Sequence, residues 1–121
     1  MKQAELHAPL DVRLIESPRP SPGPGEVLIA VARVGICGSD LHAYHGRHPF
    51  VPLPVVPGHE FAGTVVEVGA DVHDFAPGQR VTVEPSLVCG DCINCALDRY
   101  NLCERLQVIG CQTVGAMGEY L

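Results

Sequence analysis

The sequence predicts a mainly β domain: a small barrel or sandwich of short strands, with short helical turns and one cysteine-rich loop lobe. Three observations carry this expectation. Glycine and proline number 13 and 11 among 121 residues, which favours frequent turns over long helices. The apolar segments are short, rich in β-branched residues and bounded by Gly or Pro. Hydrophobic residues make up 46% and charged residues only 18%, enough to fill a core and unlike a disordered tail.

Taken in order, residues 9–16 (Pro-Leu-Asp-Val-Arg-Leu-Ile-Glu) alternate in part between apolar and polar and read as a first strand. Residues 17–25 carry four prolines and two glycines and must form a surface loop. Residues 26–34 (Glu-Val-Leu-Ile-Ala-Val-Ala-Arg-Val) are the clearest strand, closed on both sides by Gly25 and Gly35. An irregular stretch follows to Gly58, with a short helical turn expected over 40–44 and a proline-rich loop over 49–57. A strand is expected over 61–68, stopped by Gly69, then a turn at Pro77-Gly78 and a short strand over 80–84. The cysteine lobe occupies 87–105, and a last strand is expected over 117–121. There the chain stops without a turn or cap, so 1–121 is expected to be a truncated domain.

The formal charge of −6, with eight Lys and Arg in total, argues against nucleic acid and against an anionic membrane surface. No apolar run approaches the ~20 residues a bilayer span needs. The first ten residues lack the basic-then-apolar pattern of a secretory signal, which makes a cytoplasmic setting the default expectation.

Four of the six cysteines fall within 15 residues. Cys89, Cys92, Cys95 and Cys103 have the spacing C-x2-C-x2-C-x7-C. Four thiolates satisfy a tetrahedral zinc ion and leave no position open for substrate, so such a site is structural. It would staple a segment with almost no apolar core of its own. A ferredoxin-type cluster begins in the same way, but its fourth Cys comes three residues on and precedes Pro; here it comes seven on and precedes Glu104. Reduced, unliganded thiols are the remaining alternative.

A second set lies upstream. Cys37 follows one strand and His59 precedes another, so a barrel can bring a thiolate and an imidazole together. Glu60, or a residue beyond Leu121, would supply a third ligand. The coordination shell would then stay partly open, as catalytic zinc requires. Taken singly, Cys37 reads equally as a small core residue and His59 as a satisfied, partly buried histidine.

Gly58-His59-Glu60-Phe61-Ala62-Gly63 resembles the core signature of the zinc-dependent medium-chain alcohol and polyol dehydrogenases. Gly35-Ile36-Cys37-Gly38-Ser39-Asp40-Leu41-His42 resembles that family's upstream zinc-ligand segment, and the four-cysteine lobe resembles its structural zinc loop. Gly118-Glu119-Tyr120-Leu121 is similar to its usual Glu-Tyr segment, and 44–60 looks more like the polyol, threonine and sugar-acid branch than the liver-type branch. The likeness runs from about Leu10 onward, with the motifs in the family's order.

The resemblance implies a GroES-like β-barrel carrying two zinc ions. Cys37, His59 and Glu60 would hold the catalytic one, and Cys89, Cys92, Cys95 and Cys103 the structural one. Ser39 would take the alcohol proton, His42 would relay it to solvent, and Asp40 would accept the free ring N–H of His59. Ser39 and Asp40 could equally cap the helical turn that follows them. His7, His45, His48 and His73 carry no assignment. Cys111 reads as a buried thiol, which the resemblance would place near the substrate.

NAD or NADP would come from a Rossmann domain absent here, because no G-x-G-x-x-G follows any strand. The expected substrate is a small secondary alcohol or polyol, the fragment alone is expected to be inactive, and the whole protein is expected to form a homo-oligomer. The rival readings are a non-catalytic zinc-stapled binding module and an iron–sulfur carrier.

Overall fold

A computed structural model describes all residues, 1–121. The chain is mainly β, as expected. Strands β1 (Lys2–Ala8) and β2 (Asp11–Glu16) form an antiparallel hairpin, with Leu6 opposite Val12 and Lys2 opposite Glu16. Strand β1 does not stand out in the sequence because its buried positions are Gln3 and Leu6, one of them polar, with Ala4 and Glu5 between them. The Gln3 amide is satisfied there by the Ser17 hydroxyl, which donates to its Oε1 at 2.8 Å. The segment expected as a strand from residue 9 pairs only from Asp11, because Pro9 and Leu10 form the hairpin turn and Leu10 takes φ 63°.

Strands β3 (Val27–Val34), β4 (Phe61–Val68) and β5 (Arg80–Thr82) form an antiparallel sheet in the order β3-β4-β5. Phe61, Gly63 and Val65 alternate inward along β4. Gly63 has no room for a side chain: a Cβ there would lie 2.3 Å from the Ala30 carbonyl oxygen. Pairing of β5 ends at Thr82, two residues earlier than the apolar pattern suggests.

The chain end joins these sheets. Met117 accepts from the Ala4 amide, Glu119 donates to the Lys2 carbonyl, and Leu121 exchanges two hydrogen bonds with Ile29. The strand expected over 117–121 is therefore present as bridges at Gly118 and Tyr120 that splice β1 to β3. Arg19 locks the preceding loop to this seam, with an ion pair to Glu67 at 2.6 Å and its guanidinium 4.7 Å over the Tyr120 ring.

Helix α1 (Gly38–Tyr44) starts earlier than the turn expected over 40–44. Its one buried residue, Ala43, packs with Leu6 and Val55, supported by Tyr44, Val51 and Leu53. Val55 exchanges two backbone hydrogen bonds with Leu6, so the proline-rich loop is tied to β1. A second cluster gathers Ile29, Phe61 and Ala116. Full burial of a side chain such as Leu6 contributes about 1.5–3 kcal/mol. The cysteine lobe holds the one-turn α2 (Ile93–Ala96) and a 3-10 turn (Tyr100–Leu102), and its two ends are clamped by the pairing of β6 (Ser86–Leu87) with β7 (Gln107–Val108). No helix is long and apolar enough to cross a membrane.

Candidate metal centres

In the cysteine lobe the four Sγ atoms lie within 4.8 Å of one another. Local backbone geometry brings them together. Gly90, at φ +78°, turns the chain between Cys89 and Cys92. Cys92 is the N-cap of α2, Cys95 lies one turn into it, and Cys103 follows the 3-10 turn. Sγ of Cys103 lies 3.4 Å from Sγ of Cys89 and accepts the amides of Cys89 and Arg105, each at 3.4 Å.

These contacts divide the thiols. Amides of Glu104 and Cys95 draw Cys92 down to about 6, and the Cys89 amide pulls Cys103 below its usual value. Loss of solvation, together with the neighbouring sulfurs, pushes Cys95 up to about 12. The cluster resists holding four negative charges unaided, and a dication removes that conflict. Around it, Ile93, Leu97 and Leu102 are exposed, so the lobe has little apolar core, as its sequence suggested. An Arg105–Asp91 ion pair and an Asn94 side-chain bond to the Leu102 carbonyl (2.9 Å) brace the loop.

The second set is built where β3, α1 and β4 converge. Cys37 is the N-cap of α1. Oδ2 of Asp40 accepts the Cys37 amide at 2.8 Å, so Asp40 does cap the helix, while Ser39 does not. His59 follows Gly58, whose φ of +102° only glycine adopts without strain. A side chain on Gly58 would also press on Val34 and Met117, each at 3.0 Å. The Gly35 amide donates to the Glu60 carbonyl at 2.7 Å and pins the ends of β3 and β4 beside each other. The ligand atoms of Cys37, His59 and Glu60 then fall within 4.8 Å of one another.

Ser39 Oγ lies 3.5 Å from His59 Nε2. Oδ1 of Asp40 lies 3.8 Å from His59 Nδ1, which is buried without a hydrogen-bond partner. That distance is too long for the hydrogen bond expected from sequence, because the carboxylate is already engaged through Oδ2 in capping α1. His42 is exposed on the last turn of α1, three residues from Ser39 and hence on the same side of the helix. Cys111 is buried, and its thiol is raised by burial and, less, by the charges of Asp40 and Cys37. His45 and His48 make only local contacts, to the Leu41 carbonyl and the Phe50 amide.

His59 and Glu60 open onto a cleft of about 610 Å³ that Arg33, Ala62, Thr82 and Pro85 also line. Nothing in the sequence pattern singled out Arg33 or Thr82; strand register alone brings them there.

Residues 23–121 match the alcohol dehydrogenase GroES-like domain. The chain belongs to that family. Its fold is thus the GroES-like β domain of the zinc-type medium-chain dehydrogenases, as the motifs implied. It is 48% identical over 111 residues to L-threonine 3-dehydrogenase of Streptomyces avermitilis, covering 89% of this chain and 32% of that protein. It is 44% identical over 102 residues to L-galactonate-5-dehydrogenase of Escherichia coli K12, covering 84% and 30%. Among solved structures, a zinc-binding dehydrogenase of Sinorhizobium meliloti 1021 bound to NADP superposes with a TM-score of 0.91 at 42% identity, covering 99% of this chain and 35% of that one. The chain therefore spans about a third of the length of the relatives it matches.

Proposed function

We propose that this chain is the metal-holding catalytic domain of a zinc- and NAD(P)-dependent dehydrogenase that oxidises secondary alcohols or polyols to ketones. The observation that carries the reading is the convergence of Cys37, at the start of α1, with the adjacent His59 and Glu60, just before β4, with Ser39 beside the imidazole. A thiolate, an imidazole and a carboxylate suit zinc, and only three protein donors leave a position for substrate. Zinc bound there would act as a Lewis acid, lowering the pKa of the alcohol oxygen and favouring departure of hydride to the nicotinamide.

The chain's own residues do the rest. Ser39 accepts the hydroxyl proton and passes it toward His42, which is exposed and releases it to solvent. Asp40 holds Cys37 through its amide and sets the electrostatics behind His59. Cys89, Cys92, Cys95 and Cys103 hold a second, structural zinc in lobe 87–105, giving two ions per chain. Relatives that act on L-threonine and L-galactonate support a secondary alcohol as the reacting group. The dinucleotide would be bound by a separate Rossmann domain, since no glycine-rich phosphate turn follows a strand here.

Metal analysis tests this reading directly. Zinc-replete chain should hold two ions, Cys37→Ser should hold one, and Cys37→Ser combined with Cys95→Ser should hold none. A wild-type stoichiometry near one, unchanged by Cys37→Ser, would remove the catalytic centre and leave a zinc-stapled binding module.

A further inference from the structure

We infer that the cysteine lobe is a site of reversible oxidation as well as of metal binding: hydrogen peroxide joins Cys89 to Cys103 and Cys92 to Cys95, and the ion leaves. The inference rests on the structural-zinc reading proposed above and names an oxidative control of that site. Four cysteines allow three pairings. Only one of them uses the two closest contacts in the lobe, Cys103 Sγ to Cys89 Sγ at 3.4 Å and Cys92 Sγ to Cys95 Sγ at 3.6 Å. The crossed pairing would draw on the longer approach of Cys89 to Cys95, at 3.9 Å. A disulfide needs about 2.05 Å between its sulfurs, so the first pair closes by a movement of about 1.4 Å. The Cys103 sulfur is held in place for it by the amides of Cys89 and Arg105, each donating at 3.4 Å.

Position in the lobe sets what each bond does. Leu87 of β6 pairs with Gln107 of β7, so Cys89 and Cys103 stand just inside the clamp that closes the lobe. A bond between them continues that clamp and keeps residues 90–102 a closed loop. Cys92 and Cys95 share the single turn of α2, and their bond stays within it. The lobe has little apolar core, so loss of the ion without a replacement cross-link would release it. The Cys89–Cys103 bond is that replacement. Cys89 is half-buried beside exposed Gly90, whereas Cys103 is buried, so Cys89 meets the oxidant first. Its thiolate attacks a peroxide oxygen: an S–O bond forms, the O–O bond breaks, and hydroxide leaves and is protonated by solvent. The Cys103 thiolate then attacks the Cys89 sulfur, the S–O bond breaks, and a second hydroxide leaves and is protonated. The two sulfurs together lose two electrons, and the peroxide becomes two waters. Cys92 and Cys95 alone cannot complete a four-sulfur zinc site, and a second peroxide joins them in the same way. The Cys37 cluster has one thiolate beside an imidazole and a carboxylate, and so offers no such pair.

Metal release and disulfide mapping test this together. Zinc-loaded chain treated stepwise with hydrogen peroxide should release one of its two ions by about two equivalents, and Cys37→Ser should release its single ion in the same way. Mass spectrometry after alkylation should find Cys89 bonded to Cys103 and Cys92 to Cys95 within one chain. Oxidised chain can then be stripped by a chelator and given cobalt(II), which reports its ligands by visible absorption. It should show only the band that Cys37→Ser removes, and prior treatment with dithiothreitol should restore the second band. Crossed pairing, bonds between chains, sulfinic acid in place of disulfides, or release of both ions together would overturn the inference and leave the structural-zinc reading standing. A zinc content unchanged by Cys95→Ser would instead end that reading, and the inference with it.

Discussion

At the scale of single residues, Gly58 and Ser39 make contrasting demands. Gly58 positions His59 by a backbone conformation, not by a contact. Its φ of +102° and the 3.0 Å approach of Val34 and Met117 leave no place for a methyl group. Gly58→Ala should therefore cost about 1–3 kcal/mol, read as a lower midpoint in denaturant, and should weaken zinc at the Cys37 centre more than in the cysteine lobe. Ser39 has no structural duty that the geometry reveals: Asp40, not Ser39, caps α1. Ser39→Ala should thus leave stability within about 0.5 kcal/mol of wild type. In a protein completed with a dinucleotide domain, the same change should lower kcat about 10²-fold or more at neutral pH with zinc retained. Full activity of that variant across the pH range would end the proton-relay role. The motif glycines and the cluster of Cys37, His59 and Glu60 were legible in the sequence because chemistry fixes the identity of such residues. The place of Arg33 and Thr82 on the wall of the neighbouring cleft was not, because it depends on which residues sit opposite each other across the sheet, and register is invisible to local pattern.

At the scale of elements, the legible strands were those with a continuous apolar face. Strands β3 and β4 were readable to within a residue, since both are β-branched and bounded by glycine. Strand β1 was not, because a buried amide at Gln3 takes the place of an apolar side chain. The segment at 117–121 was recognised as extended, but its bonding to both β1 and β3 is tertiary and leaves no sequence signature. The cysteine lobe is the reverse case, a segment with no core whose shape follows from ligand spacing. Cys95→Ser should remove one zinc per chain and lower the melting temperature by about 5–10 °C, measured by calorimetry beside elemental analysis. Its metal affinity should also depend on pH, with a definite sign. Cys92, at about 6, is already largely ionised at pH 7, whereas Cys95, at about 12, still holds its proton. Zinc must displace that proton, so binding should release at least one proton per ion at pH 7 and weaken as pH falls, most steeply once pH drops through 6 and Cys92 also protonates. Calorimetric titration in two buffers of different ionisation enthalpy counts the protons. A count of zero would mean that Cys95 is not a ligand.

For the whole molecule, the decisive question is how much of an oxidoreductase these 121 residues constitute. On the proposed reading the architecture supplies a place for a reacting alcohol, while neither of its helices offers a cradle for a dinucleotide. A pyrophosphate is held where a strand runs through a glycine-rich turn into a helix N-terminus. Here α1 has seven residues, begins at Gly38 after Cys37, and has its first turn capped by the carboxylate of Asp40, which is the wrong charge to receive a phosphate. The other helix, α2, has four residues and opens on a cysteine of the lobe. An open groove of about 670 Å³ is lined by Val27, Ile29, Phe61, Val81, Ile109 and Leu121 among others, an apolar surface suited to packing against protein. Hydride transfer needs the nicotinamide carbon held about 3–3.5 Å from the reacting carbon, and nothing in these elements provides that restraint. The zinc-loaded chain should therefore neither quench NADH or NADPH fluorescence at micromolar concentrations nor reduce NAD or NADP in the presence of a secondary alcohol. It should still show alcohol-dependent changes in the cobalt spectrum of the Cys37 centre. Those two results together would assign binding and activation of the alcohol to this domain and cofactor binding elsewhere. Saturable NADH binding to the isolated chain would overturn that division.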